Sequence, residues 1–146
     1  MTVPIHAAHR FGNRPFDCSG AKIRAQCRHL ATVVTISGTI DDSNADRVGS
    51  YISRFIPTEQ AFVLDLSGLD TFSPAGISFL DRVDDACQTA GMDWAVVCSP
   101  AVIKTLDADQ DSSYPVTDSV AAALHQFADV IAARRRVLLP LLGKSA

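Results

Sequence analysis

The run Asp70-Thr71-Phe72-Ser73-Pro74, followed by Ala75-Gly76-Ile77, holds the most pointed chemistry in this 146-residue chain. Ser73 there is either a regulated hydroxyl or only a helix cap. The capping reading is architectural. Serine at the cap and proline at the first helical position make a favoured start, because proline lacks an amide where none is needed. The residue before proline is also pushed to the extended angles a cap adopts. Ser99-Pro100 repeats the device further along the chain, which favours the capping reading of Ser73. Gly76, inside the same first turn, costs roughly 0.5–1 kcal/mol relative to alanine. A tolerated cost implies a close approach, by the neighbouring loop or by a partner.

Other reactive groups are scattered. Cys18, Cys27, Cys87 and Cys98 form no C-x-x-C pair and read as reduced thiols. Cys87 falls on an apolar helical stripe and Cys98 at the end of a buried strand, so both read as small core residues. A redox pair joining one of them to Cys27 or Cys18 stays open as a second reading. Asp81, Asp84 and Asp85 could hold a metal, but with Arg82 among them they read better as a solvated helix face. None of the histidines, His6, His9, His29 and His125, stands beside an obvious nucleophile and acid. Phosphate-loop, dinucleotide-binding and nucleophile-elbow motifs are missing. No metal, no cofactor and no catalytic activity is expected.

The formal net charge of −3 argues against a general nucleic-acid binder. No apolar run approaches the roughly 18–20 residues that cross a bilayer, and the N-terminus lacks an apolar signal core. A cytoplasmic protein without stable membrane insertion is expected.

The elements that must position these groups follow from periodicity. Residues 1–20, with prolines and no clear period, read as a flexible lead-in. Ile23, Ala25 and Cys27 alternate with Lys22, Arg24, Gln26 and Arg28, a strand with one wet face. "ATVVTISG" is a more buried strand. Gly38–Asp42 then turns, Asp42 or Ser43 caps a helix, and Ala45, Val48, Ile52 and Phe55 form its apolar stripe. "QAFVLDLSGL" and "DWAVVCS" are continuous apolar strands of the parallel kind. Between them Ile77, Leu80, Val83 and Cys87 form a second helical stripe, which Gly91 ends. A short helix after Pro100, a short strand at "YPVT" and a last helix after Asp118 complete the order. Two strands followed by alternating strands and helices predict an α/β layer, mainly parallel with an antiparallel addition at the front. The predicted domain is 21–135. Residues 136–146 are a basic and apolar tail that folds back, joins a homodimer or docks a partner.

Three motifs carry a family resemblance. "GTID" ends a strand before a helix, "VLDLSGL" is a buried strand, and Gly76-Ile77 opens the following helix. Together they resemble the STAS domain, whose stand-alone members are bacterial anti-sigma factor antagonists. The resemblance implies a mixed sheet of four to five strands with helices packed mostly on one face. It implies a non-catalytic module that binds a serine-kinase-like anti-sigma factor and so releases a sigma factor. Asp41, Asp42, Ser43, Ser73, Pro74 and Gly76 would form the partner-binding surface. Matching Gly76 to the family's glycine puts Pro74 where the phosphoacceptor belongs, so the usual acceptor is missing. A phosphoryl group there would add about −1.5 to −2 charges, held by the free amides and the positive end of the helix dipole. The resemblance then leaves Ser73 as the candidate acceptor, with Thr71 and Ser78 as weaker ones. The resemblance leaves a second role open, a nucleotide or lipid sensor or a scaffold.

Overall fold

Alternation decides the edge of the sheet. Strand β2 (Ala21–Cys27) buries Ala21, Ile23 and Ala25 and exposes Lys22, Arg24 and Gln26, the period of two expected of a half-buried strand. Cys27 departs from that pattern. It is exposed at the hairpin end of the strand, paired with Thr32, rather than on the apolar side. The structure, a computed structural model, describes residues 15–28, 30–56, 61–108 and 113–145, and of 137–145 the helical backbone alone.

Ahead of β2 comes a short antiparallel strand, β1 (Phe16–Cys18). Residues 16–18 were expected to belong to the lead-in. They are ordered because Cys18 is buried in the core and the Phe16 ring stacks on Tyr51 with centroids 4.1 Å apart. Strand β3 (Ala31–Ile40) runs antiparallel to β2 and parallel to β4 (Ala61–Phe72). Strands β5 (Trp94–Cys98) and β6 (Val116–Thr117) continue the parallel part. The sheet order is β1-β2-β3-β4-β5-β6. The mixed α/β architecture is the expected one, with six strands instead of four to five because β1 and the two-residue β6 both pair.

Among the described residues four α-helices accompany the sheet. They are α1 (Ala45–Ile52), α2 (Ala75–Ala90), α3 (Pro100–Ala108) and α4 (Val120–Ser145). A 3₁₀ turn, Ser53–Phe55, extends α1. The first three cover one face. Val48, Ile52, Leu80, Val83 and Val102 pack there with Val34, Ile36, Leu64, Leu66 and Val96. Helix α4 covers part of the other face, where Ala123 and Phe127 meet Ala31, Val33, Val63 and Ala95. This two-sided cover is why β4 and β5 read as unbroken apolar runs. The backbone of α4 continues as helix through 136–145, the segment read from sequence as a separate tail.

Helix α2 ends as expected at Gly91, which is left-handed (φ 69°). The Gly91 and Met92 amides return to the Gln88 and Cys87 carbonyls, a Schellman-type closure. The expected turn at Gly38–Asp42 begins later. After two register shifts β3 continues to Ile40, which lies opposite Phe72.

Candidate functional site

That pairing builds the site. Ile40 and Phe72 end two parallel neighbours in register, so the loops that follow emerge side by side at the carboxyl ends of the strands. This is the end of an α/β sheet where binding sites form. The loops are tied directly. The Ser73 amide donates to the Ile40 carbonyl at 3.0 Å. The Ser73 hydroxyl donates to Asp42 Oδ1 at 3.4 Å and accepts from the Ala75 amide at 3.2 Å. Pro74 already has helical angles (φ −55°, ψ −25°). Ser73 therefore serves the start of α2 with its side chain, in the geometry of a capping serine.

The first loop is organised by Asp41. Its Oδ1 accepts from the Ser43 amide at 2.9 Å and from the Ser43 hydroxyl at 2.6 Å. Its carbonyl accepts from the Asn44 and Ala45 amides. The Ser43 hydroxyl first, and its amide second, hold the Asp41 carboxyl below its ordinary value of 3.8. Asp42 and Ser43 were the expected caps of α1. Neither takes that place, which falls to Asn44, whose side chain caps nothing in its own helix.

Asn44 works sideways instead, and sequence reasoning missed it. Its side chain is buried and fully used. Oδ1 accepts from the Asp41 amide at 2.9 Å. Nδ2 donates to the carbonyls of Thr39 at 2.8 Å and of Cys18 and Ser19 at 3.1 Å each. A lone asparagine beside two better-known capping types gives no sequence signal of this, because its partners lie up to 26 residues away.

The expected partner-binding residues separate by exposure. Asp42, Ser43 and Pro74 are exposed, and Asp41 and Ser73 are half-buried. Gly76 is buried. The close approach expected at Gly76 comes from the chain itself. A Cβ there would lie 2.3 Å from Cε1 of the Phe72 ring. Thr71 is exposed near the end of β4, opposite Thr39, and Ser78 is exposed on α2. Thr71, Pro74 and Ile77 face Ala101, Lys104 and Thr105 of α3 across an open groove of about 670 Å³.

The remaining candidates lie elsewhere. None of the four cysteines is in a disulfide. Burial pushes the Cys87 thiol up to about 12, with the Asp84 charge adding to it, and the Cys98 thiol to about 11. Such thiols hold little thiolate near neutral pH. Two of the three aspartates of α2 have separate tasks. Asp84 accepts from the Trp94 indole at 2.9 Å and from Gln88 at 2.8 Å, and Asp81 accepts from the Tyr114 hydroxyl. Among the described residues no group of His, Cys, Asp and Glu is arranged to hold a metal. His125 is exposed beside Asp129, while His6, His9 and His29 lie outside the described residues. Among the described residues no helix is long and apolar enough to cross a membrane.

The fold agrees with the family assignment. The STAS domain model matches residues 22–123, and the chain belongs to that family. Osmosensory protein A of Mycobacterium tuberculosis is 46% identical over 142 residues, which cover 94% of this chain and 90% of that protein. Two solved structures share the fold. An anti-sigma factor antagonist from Mycobacterium paratuberculosis superposes with a TM-score of 0.65 at 21% identity, over 73% of this chain and 93% of its own. RsbS of Moorella thermoacetica superposes with a TM-score of 0.63 at 16% identity, over 75% and 97%.

Proposed function

We propose that this STAS domain is a non-catalytic binding module of the anti-anti-sigma type. It docks on a serine-kinase-like anti-sigma factor in the cytoplasm and so frees a sigma factor. The observation that carries this reading is the convergence of loop 41–44 and Ser73-Pro74 at one end of the sheet, fastened by the Ser73 amide on the Ile40 carbonyl. Asp42, Ser43 and Pro74 stand exposed on that fastened frame, as a preformed contact surface requires. Asp41 and Ser73 hold its shape, and Gly76 acts beneath it by seating Phe72.

Pro74 stands where the family carries its acceptor and has no hydroxyl. The Ser73 hydroxyl is engaged, and a phosphate on it would lie against the Asp42 carboxylate, a like charge. We therefore read this antagonist as one that binds without being switched at this loop. Thr71, exposed near the end of β4, and Ser78, exposed on α2, are the remaining acceptor candidates. The test is affinity purification of the tagged full chain from its host, with mass spectrometry of partners and modified residues. A serine-kinase-like anti-sigma factor bound to chain unmodified at Ser73 and Thr71 is the expected result. Stoichiometric phosphate at Ser73 would overturn the unswitched reading, and recovery of no such factor would overturn the function.

A second reading, a sensor for a nucleotide or lipid, draws support from the groove between the β4–α2 loop and α3, with Lys104 on its wall. A copurifying small molecule displaced by Lys104→Glu would favour it. The name of the Mycobacterium tuberculosis relative supports osmotic stress as the signal served in either case.

A further inference from the structure

A third segment lies beside the two loops, the β1–β2 turn at Ser19-Gly20. Asn44 Nδ2 holds it through the Cys18 and Ser19 carbonyls, and the Thr39 amide donates to the Gly20 carbonyl at 3.0 Å. Gly38 permits this contact. A Cβ there would stand 2.2 Å from the Gly20 oxygen. The turn is therefore fixed at the same end of the sheet as loop 41–43.

One unfavourable feature stands in this turn. Ser19 has φ 50° and is, among the described residues, the non-glycine position with left-handed backbone. Glycine would relieve that strain. Ser19 is exposed, so no packing demands its side chain. Arg47 lies in the first turn of α1 beside Asp46, which offsets the placing of a cation at the positive end of the helix dipole. The Ser19 hydroxyl accepts from Arg47 Nη1 at 2.8 Å. A strained serine thus fixes one edge of an exposed guanidinium. Strain kept at an exposed position points to use of the side chain. A guanidinium held by one edge offers its other donors to a carboxylate in fork geometry.

Building on the binding role proposed above, we infer that the partner-binding face extends from Ser73-Pro74 across loop 41–43 to the β1–β2 turn, where Ser19 orients Arg47 as a specificity-determining contact for a carboxylate of the anti-sigma factor. Asn44 is the positioning residue that holds the three segments in register.

The test titrates each purified serine-kinase-like anti-sigma factor of the host against the full chain by calorimetry, with the thermal midpoint of every variant measured beside it. Arg47→Glu is expected to weaken binding at least about tenfold, ~1.4 kcal/mol. Ser19→Gly separates use from structure. It removes the strain and the hydroxyl together, so a structural role predicts an unchanged or raised midpoint and unchanged affinity. The inference predicts the same midpoint behaviour with affinity about three- to tenfold weaker, and Ser19→Asn, which tolerates left-handed backbone and keeps an acceptor oxygen, restores it. Pro74→Arg reports on the central face. If Pro74→Arg abolishes binding while Arg47→Glu and Ser19→Gly stay within twofold of wild type, the extension is wrong and the binding role stands. If the wild-type chain binds none of these factors, the binding role fails and the extension falls with it.

Discussion

Gly76→Ala puts a methyl group where the Phe72 ring already is. The added carbon would lie 2.3, 2.4 and 2.9 Å from Cε1, Cζ and Cδ1 of that ring. Carbon atoms attract best at about 3.5–4.0 Å, so the ring has to move by more than an ångström. Its backbone cannot follow freely. The Phe72 carbonyl accepts from Thr105 Oγ1 at 2.6 Å, and the next amide is bonded to Ile40. The ring is almost wholly buried, so no solvent space receives it. Overpacking of this kind costs about 1–3 kcal/mol. Alanine returns up to about 1 kcal/mol through its helix propensity. The expected net loss is about 1–2 kcal/mol, read as a lower urea midpoint with an unchanged m-value. The same substitution in a Phe72→Leu background meets no ring and becomes neutral or slightly stabilising, so the double-mutant cycle shows coupling. A stabilising Gly76→Ala in the wild-type background, or a cost that persists in Phe72→Leu, would refute the account.

Asn44→Ala should lower stability by about 2–3 kcal/mol in the same assay, since Nδ2 has two hydrogens to share among three carbonyls and Oδ1 accepts one amide, each such bond being worth about 1 kcal/mol. Asp41 sets an acid limit. Its carboxyl is held down by Ser43 in the fold, so the unfolded chain takes up the proton first as pH falls. Its stabilising contribution is present above the ordinary carboxylate range and is lost below about pH 4. Asp41→Asn therefore flattens the stability profile in that range and leaves its slope near neutral pH unchanged. Iodoacetamide at pH 8 should modify exposed Cys27 in the native protein well before Cys87 or Cys98, whose thiols burial raises to about 12 and about 11. Peptide mapping against time reads the order, and rapid native labelling of Cys87 would contradict the burial argument.

What the sequence disclosed was what repeats at short range. The stripes Ala45-Val48-Ile52-Phe55 and Ile77-Leu80-Val83-Cys87 are periodic, and all of these residues are buried except Ile77, which is half-buried. The alternation in β2 held as far as Ala25. Ser73-Pro74 announced a helix start, and the structure has one there. Long-range contacts had no such signal. β1 is three residues long, too short for a period to appear, and its order depends on a ring stack with Tyr51, 35 positions away in the chain (51 − 16). The extent of β3 depended on pairing with Leu69, Thr71 and Phe72 across two register shifts, which overrode the turn propensity of Gly38. Cys27 matched the apolar parity of its strand, but the strand end carries it away from the core. Gly76 signalled a close approach without saying whose, and the position of the Phe72 ring answers that.

The start of α2 also bears on how such a surface can be controlled. A helix start receives an anion through amides that have no other acceptor. Here the first position is proline, which has none. The Ala75 amide is taken by the Ser73 hydroxyl, the Gly76 amide by the Ser73 carbonyl at 2.8 Å, and the Ile77 amide by the Pro74 carbonyl at 3.0 Å. A phosphoryl group on Ser73 would break the first of these bonds and bring about −1.5 to −2 charges to a hydroxyl already shared with Asp42. The cap and the switch compete for the same oxygen, and the chain has committed its amides to the cap. On the binding role proposed above, that commitment favours a docking face that is preformed rather than remade by modification of the helix start. Control by phosphate would then fall to hydroxyls outside the cap, of which Thr71 and Ser78 stand exposed nearby.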